Sequence, residues 1–176
     1  KADIWDGGHR IPFIAKWPEV VKAGSVASNL VCLTDLMATC ADLCGLALPA
    51  QVGEDSVSLL PLLKGQTAPV RQSVIHHSIN GAFAIRTQQW KLELCPGSGG
   101  WGTPTDQQAR AQKHAAWQLY DMVADMTETN NVIAAHADVV AILRNEVQAC
   151  VARGRSTPGP LQQNDVEVLL DASYTP

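Results

Sequence analysis

Between residues 73 and 94 the chain repeats one pattern: short runs rich in Val, Ile, Phe and Trp, broken by turn residues. Ser73-Val74-Ile75-His76-His77-Ser78-Ile79 closes on Asn80-Gly81, a pair suited to a tight hairpin. Ala82-Phe83-Ala84-Ile85-Arg86 and Trp90-Lys91-Leu92-Glu93-Leu94 follow, with Thr87-Gln88-Gln89 as the turn between them. Connections this short require antiparallel pairing. Trp117-Gln118-Leu119-Tyr120-Asp121 is a last strand candidate. Val139, Val140, Leu143, Val147, Cys150 and Val151 then form an amphipathic helical stripe that ends at Gly154. Strands followed by one helix predict a small α+β unit in which the helix covers one face of the sheet.

Upstream the character differs. Residues 11–17 are an apolar run closed by Pro18 and preceded by Gly7-Gly8, the pattern of a buried strand. Leu36, Met37, Cys40, Leu43 and Cys44 recur at helical spacing, with Thr34 as cap, Gly45 as stop and Pro49 beyond. Ser58-Leu59-Leu60-Pro61-Leu62-Leu63 predicts a short helical segment capped by Ser58 and ended by Gly65, with Pro61 tolerated in its first turn. Residues 66–72 are polar and read as a linker. Residues 96–102 read as a flexible glycine-rich loop, residues 107–114 as a mobile connection or short helix, and residues 156–176 as an irregular tail.

Composition narrows the function classes. With 46% hydrophobic and 17% charged residues the chain is globular, and its formal net charge of −4 offers no basic footprint for nucleic acid or an anionic membrane. No apolar run approaches the ~20 residues of a membrane-spanning helix. The five cysteines, Cys32, Cys40, Cys44, Cys95 and Cys150, are odd in number and sparse, so they form no disulfide framework. Cys40 and Cys44 lie one helical turn apart, and without further ligands at zinc spacing they read as small apolar core residues.

The first eighteen residues, Lys1-Ala2-Asp3-Ile4-Trp5-Asp6-Gly7-Gly8-His9-Arg10-Ile11-Pro12-Phe13-Ile14-Ala15-Lys16-Trp17-Pro18, set a lysine, a spacer, an acidic residue, Gly-Gly and a basic residue before an apolar run ending in Trp-Pro. That order resembles one stretch of the formylglycine-dependent sulfatases of the alkaline-phosphatase-like superfamily. Leu30-Val31-Cys32-Leu33-Thr34-Asp35-Leu36 and Asp55-Ser56-Val57-Ser58-Leu59-Leu60-Pro61-Leu62-Leu63-Lys64-Gly65 resemble later stretches of that family. So do Phe83-Ala84-Ile85-Arg86 with Trp90-Lys91-Leu92, and Leu119-Tyr120-Asp121 with Glu128-Thr129-Asn130-Asn131. Arg153-Gly154-Arg155-Ser156-Thr157-Pro158-Gly159 resembles the close of many bacterial members. One departure is Met126, where the family usually carries proline.

The resemblance implies a downstream piece of a longer, arylsulfatase-like sulfuric ester hydrolase, in a family often exported or periplasmic. Residues 1–65 would be the end of the large α/β domain, with its last strand and helix, and residues 66–176 the small C-terminal α+β domain. It implies that Lys1 contacts the substrate's sulfate, an ammonium suiting that task as a compact point charge. The parent would use a formylglycine made from Cys or Ser and a Ca²⁺ ion held by Asp and Asn side chains. None of the cysteines here has a proline two residues on, and Asp3 and Asp6 stand at non-ligand positions of the motif. The chain alone is therefore expected to be inactive, with no metal site of its own and a missing N-terminal sulfatase domain as its partner.

Asp6 and Arg10 flank Gly7-Gly8 and read as residues that fix the turn, while His9 reads as a surface residue. His76 and His77 are adjacent on a strand and so point to opposite faces, and one of them can look toward a substrate cleft. Trp101 can stack on a sugar or aromatic substrate or simply pack. Two other readings stand beside the sulfatase: a non-catalytic α+β binding or assembly module, and a phosphonate or phosphate monoester hydrolase of the same superfamily. The apolar run of residues 11–17, separated from a large sheet, predicts self-association of the chain.

Overall fold

A computed structural model describes residues 1–170. Four strands, β1 (Ser73–His77), β2 (Phe83–Thr87), β3 (Trp90–Glu93) and β4 (Gln118–Asp121), pair in that order as an antiparallel meander. The register sets Ile75 beside Ile85, Ile85 beside Leu92 and Leu92 beside Leu119. Period-2 alternation puts these four side chains on one face. There the apolar stripe of helix α5 (Ala137–Arg153) meets them, burying Leu143 and Val147 against Ile85, Leu92, Leu94 and Leu119. This is the predicted helix-on-sheet core, and α5 ends at Gly154 as its sequence requires.

The opposite face is polar. Register sets His76 beside Ala84, Ala84 beside Glu93 and Glu93 beside Gln118; the neighbouring row runs through Val74, Arg86, Lys91 and Tyr120. Among the described residues no helix as long as α5 covers this face. The N-terminal residues do, through a small cluster of Ile4, Ala84 and Cys95 flanked by Trp5 and Ala82.

Residues 1–9 are threaded through the structure by their backbone. Ala2 O accepts from Ile79 N, Ile4 N donates to Ser98 O, and the Asp3 carboxylate accepts from Trp101 N and Gly102 N, all at 2.8–2.9 Å. A one-turn helix α1 (Asp6–His9) follows. Gly8 and Gly100 are glycines because backbone passes where a side chain would start: a Cβ on Gly8 would meet Asp3 O, and one on Gly100 would stand 2.5 Å from Ala2 O. The glycine loop of residues 96–102 is therefore not a flexible surface loop. It is mostly buried, and Gly97 N and Gly99 N both donate to the Asp106 carboxylate at 3.1 Å. The reading of residues 107–114 resolves to a short helix, α4 (Asp106–Ala111), with a Thr105/Gln108 capping box.

Upstream expectations fare less evenly. Residues 11–17 form no strand; no described strand pairs with them, and an extended run without a ladder partner has nothing to hold it. Ile14 is 91% exposed. Helix α2 (Asp35–Leu43) forms where the spacing predicts, but with its faces reversed: Asp35 and Thr39 are buried, while Leu36, Met37 and Leu43 are exposed. Cys40 and Cys44 lie on its exposed side and are not core residues. Thr34 makes no side-chain cap, and the Asp35 carboxylate accepts instead from two amides outside the helix, Cys32 N at 2.8 Å and Val57 N at 3.0 Å. The buried Asp35 also pairs with Arg71, tying α2 to the segment that leads into β1. Helix α3 (Leu60–Leu63) starts two residues after Ser58, whose hydroxyl accepts from Leu60 N at 3.2 Å. Residues 156–170 carry no helix or strand, and the rest of the tail lies outside the described residues. No helix among the described residues is long and apolar enough to cross a membrane.

Candidate functional site

The polar face of the sheet closes over a buried lysine. Lys91 follows Trp90 and precedes Leu92, so alternation turns it away from α5 and under the N-terminal residues. Its side chain is 0% exposed. Nζ donates to Ile4 O at 2.9 Å, Asp6 Oδ1 at 3.1 Å and Glu128 Oε1 at 2.5 Å, and stands 3.1 Å from Glu93 Oε1. Burial alone would lower the pKa of this ammonium, but Glu93, Glu128 and Asp6 together outweigh burial and raise it.

Glu128 arrives from a loop built to present it. The Asp125 carboxylate accepts from Thr129 N and Asn130 N at 2.8 and 2.7 Å and from the hydroxyls of Thr127 and Thr129. This holds Glu128 in a left-handed conformation, φ 57°. Its carboxylate then bridges: one oxygen meets Lys91, and the other accepts from Asp6 N at 2.6 Å, at the start of α1.

Glu93 is fully buried beside the same lysine, and its two oxygens accept no well-aligned hydrogen bond. Burial, with the neighbouring Glu128, pushes its pKa up to about 8 against the pull of Lys91. This carboxyl therefore keeps its proton more readily than an ordinary glutamate, which eases the crowding of three carboxyl groups around one ammonium. Beside it Gln118 donates to Cys95 O and Gly97 O and accepts from Tyr120 Oη, filling its hydrogen-bonding capacity. Burial pushes the Cys95 thiol and the Tyr120 phenol up, so neither is an acid of use near neutrality.

The two histidines diverge as alternation requires. His76 points to the polar face, its Nε2 3.4 Å from Ile4 O and its ring against that of His9, with centroids 4.2 Å apart and planes tilted by 50°. Burial and the charge of Lys91 push its pKa down to about 3. His9 is thus not a surface residue: it is half-buried, its Nε2 has no partner among the described residues, and its pKa is lowered by burial and by Lys91. His77 lies on the α5 side at the exposed end of β1, against Phe83 and with Nδ1 2.8 Å from Ser78 O.

Lys1 is exposed at the end of the threaded segment. Ala2 is tied to Ile79, and Asp3 to the loop that carries Trp101, whose indole is 77% exposed and does not pack. A cleft of about 950 Å³ borders the polar cluster around Lys91, lined by Trp5, Asp6, Arg10, Gln118, Tyr120 and Glu128 among others; Lys1 does not line it. Asp6 does fix the turn, as expected, since its carbonyl accepts from Arg10 N at 2.7 Å; the Arg10 guanidinium reaches Met126.

Sequence reasoning missed the centre of this arrangement. Lys91 and Glu93 alternate with Trp90, Leu92 and Leu94, which marks them for the face opposite the helix. That signal was legible; the burial of that face was not. Among the described residues no group of three or more His, Cys, Asp or Glu is placed to hold a metal ion, and Asp3 and Asp6 are committed to backbone amides and Lys91. The described residues do not fit a calcium site.

Comparison with known proteins adds the family context. Residues 1–95 match the family described as N-sulphoglucosamine sulphohydrolase, C-terminal. An N-acetylgalactosamine-6-O-sulfatase of Bacteroides thetaiotaomicron is 31% identical over 156 residues, covering 87% of this chain and 29% of the relative. Human arylsulfatase A is 28% identical over 196 residues, covering 100% of this chain and 38% of its own length. A solved structure, described under the metabolism of multiple glycosaminoglycans by Bacteroides thetaiotaomicron, superposes with a TM-score of 0.71 at 31% identity. That match covers 85% of this chain and 30% of the other. The chain thus spans about a third of the length of the relatives it matches.

Proposed function

Because the chain belongs to the sulfatase family, matching its C-terminal portion, we propose that it is the C-terminal part of a sulfuric ester hydrolase in which Lys1 contacts the sulfate group. The observation that carries the reading is the family match over residues 1–95, which includes the whole lysine motif. Its support in the geometry is the pinned segment behind Lys1: an exposed ammonium stands at the end of a backbone anchored at Ala2, Asp3 and Ile4. A cation held in place at the sulfate oxygens offsets negative charge there without reorganising during reaction.

Residues 1–65 are assigned to the end of the large domain and residues 66–176 to the small one. The nucleophile, formylglycine in this reading, and its Ca²⁺ belong to upstream residues, which form the N-terminal partner of this chain. Residues 1–176 therefore contribute charge and pocket wall and make no covalent bond. His77, exposed at the end of β1, is assigned to the rim of that pocket, and His76, turned inward, to its support. The substrate is a sulfate ester, and a sulfated amino sugar is favoured by the names of the matching family and of the bacterial relative.

The test is sulfate release from p-nitrophenyl sulfate by a longer form of the protein that carries the upstream residues. Lys1→Ala is expected to lower kcat/KM by about 10²–10³, the scale for removing one positioned charge-stabilising donor. An unchanged kcat/KM would sink the assignment of Lys1. Residues 1–176 alone are expected to release no sulfate, and clear turnover by them would refute the division of labour.

A further inference from the structure

Every donor bond of the buried ammonium ends on the N-terminal segment or on the loop that grips it. The Lys91 ammonium has three protons, and its three hydrogen bonds go to Ile4 O, Asp6 Oδ1 and Glu128 Oε1. The second oxygen of Glu128 takes Asp6 N. We propose that Lys91 and Glu128 are positioning residues that clamp residues 4–6 to the sheet and so set where Lys1 stands. The proposal rests on the assignment of Lys1 as the sulfate contact.

The geometry has the features of a clamp. Lys91 is carried by β3, a central strand whose other face is locked into the α5 core, so it offers a rigid anchor. Glu128 is carried by a loop whose own carboxylate, Asp125, fixes its backbone. Between them they hold a carbonyl, an amide and a side chain within three consecutive residues. Lys1 lies three residues before Ile4, a span of at most ~11 Å at full extension, and the clamp acts on it together with the anchors at Ala2 and Asp3 that lie between. Displacements of about 1 Å at a catalytic group can cost about 10²-fold in rate. The remaining titratable neighbours, Glu93, His76, His9 and Arg86, surround the clamp; of these, His76 approaches Ile4 O at 3.4 Å and His9 bonds to the backbone of Asp3.

Two measurements test it. In residues 1–176, hydrogen exchange is followed at the amides of Ile4, Gly8 and Arg10, whose acceptors are Ser98 O, Trp5 O and Asp6 O. Lys91→Met keeps the stem and removes the ammonium. It is expected to speed exchange at these amides by at least about tenfold more than at Ile85 and Leu92, whose exchange follows global stability. Glu128→Gln, a gentler change in case Lys91→Met does not fold, is expected to give a smaller rise at the same three positions. Unchanged exchange at these amides in either folded variant would overturn the clamp.

In the longer protein, p-nitrophenyl sulfate kinetics are compared for Lys91→Met, Lys1→Ala and the double variant. If Lys91 acts through Lys1, Lys91→Met lowers kcat/KM by about tenfold alone and by little further in the Lys1→Ala background. Independent, multiplying effects would overturn the positioning role even if the clamp is real. A Lys1→Ala variant with full activity overturns the assignment of Lys1 and the functional half of this proposal, and the exchange measurement then decides whether the clamp exists.

Discussion

The two faces of the four-stranded sheet are built from the same strands and held by opposite means. Toward α5, Ile85, Leu92, Leu119, Leu143 and Val147 exclude water by apolar contact alone. Toward the N-terminal segment, Lys91, Glu93, His76 and Gln118 are covered almost as completely, yet every one of them is polar. Apolar burial is additive and tolerant of shape, at roughly 25 cal/mol per Å². Burial of charge is conditional: it holds only while each group keeps its partner. One face should therefore fail gradually, the other when a single partner leaves.

The sharpest test uses neighbouring residues that point to opposite faces. Lys91→Ala is expected to cost about 3–5 kcal/mol, because Asp6 and Glu128 lose their shared cation, and Leu92→Ala about 2–5 kcal/mol by loss of contacts and a cavity. Urea unfolding measures both. What separates the faces is rescue. Lys91→Met combined with Glu128→Gln should be less destabilised than the sum of its parts. A strictly additive pair would break the contrast.

The pH dependence belongs to the polar face. Folded, Glu93 keeps its proton up to about pH 8; unfolded, it releases it near its ordinary 4.5. The folded chain holds more protons across that window, so this group makes stability fall as pH rises from about 4.5 to about 8. Glu93→Gln, which mimics the protonated acid, should flatten that fall. His76 acts with the other sign. Its folded pKa of about 3 lies below the ordinary 6.5, so its contribution is present above about 6.5 and lost as pH falls toward 3. His76→Phe should blunt the acid loss. Urea midpoints between pH 3 and 9 check both, and identical profiles for wild type and Glu93→Gln would remove the neutral acid from the account.

Cysteine labelling reads each face separately. Cys95 lies under the N-terminal segment and Cys150 on α5, both buried, while Cys40 and Cys44 are exposed on α2. A disulfide reagent should modify Cys40 and Cys44 at least ~100-fold faster than the buried pair. The smallest stability effect is expected away from both faces. Ile14→Ser should change stability by less than about 0.5 kcal/mol and reduce self-association in sedimentation velocity, since its 91% exposed side chain contributes little to folding.

Much of the apolar face was legible. The turn residues at Asn80-Gly81 and Gln88-Gln89, the alternation of β1 to β3 and the stripe of α5 all express local periods that each segment carries by itself. Helix α2 shows where that logic stops. Its spacing predicted a helix correctly, yet the buried residues are Asp35 and Thr39, because Arg71, Cys32 N, Val57 N and Leu59 N supply the partners that make their burial tolerable. Residues 11–17 show it again, since a strand exists only with a neighbour to complete its ladder.

The candidate site divides along the same line. Lys1 is proposed from its motif alone, and His76 and His77 were separated by strand alternation. His9 was misplaced, because nothing near it in sequence announces the His76 ring against which it lies. The sequence by itself determined the family, the antiparallel sheet, the covering helix and the lysine at the head of the motif, all encoded within short stretches of chain. Only the tertiary structure decided that Lys91 is buried and that it holds the segment behind Lys1. A buried ammonium is tolerable only where carboxylates converge on it, and here they come from positions 6, 93 and 128, which the fold alone brings together.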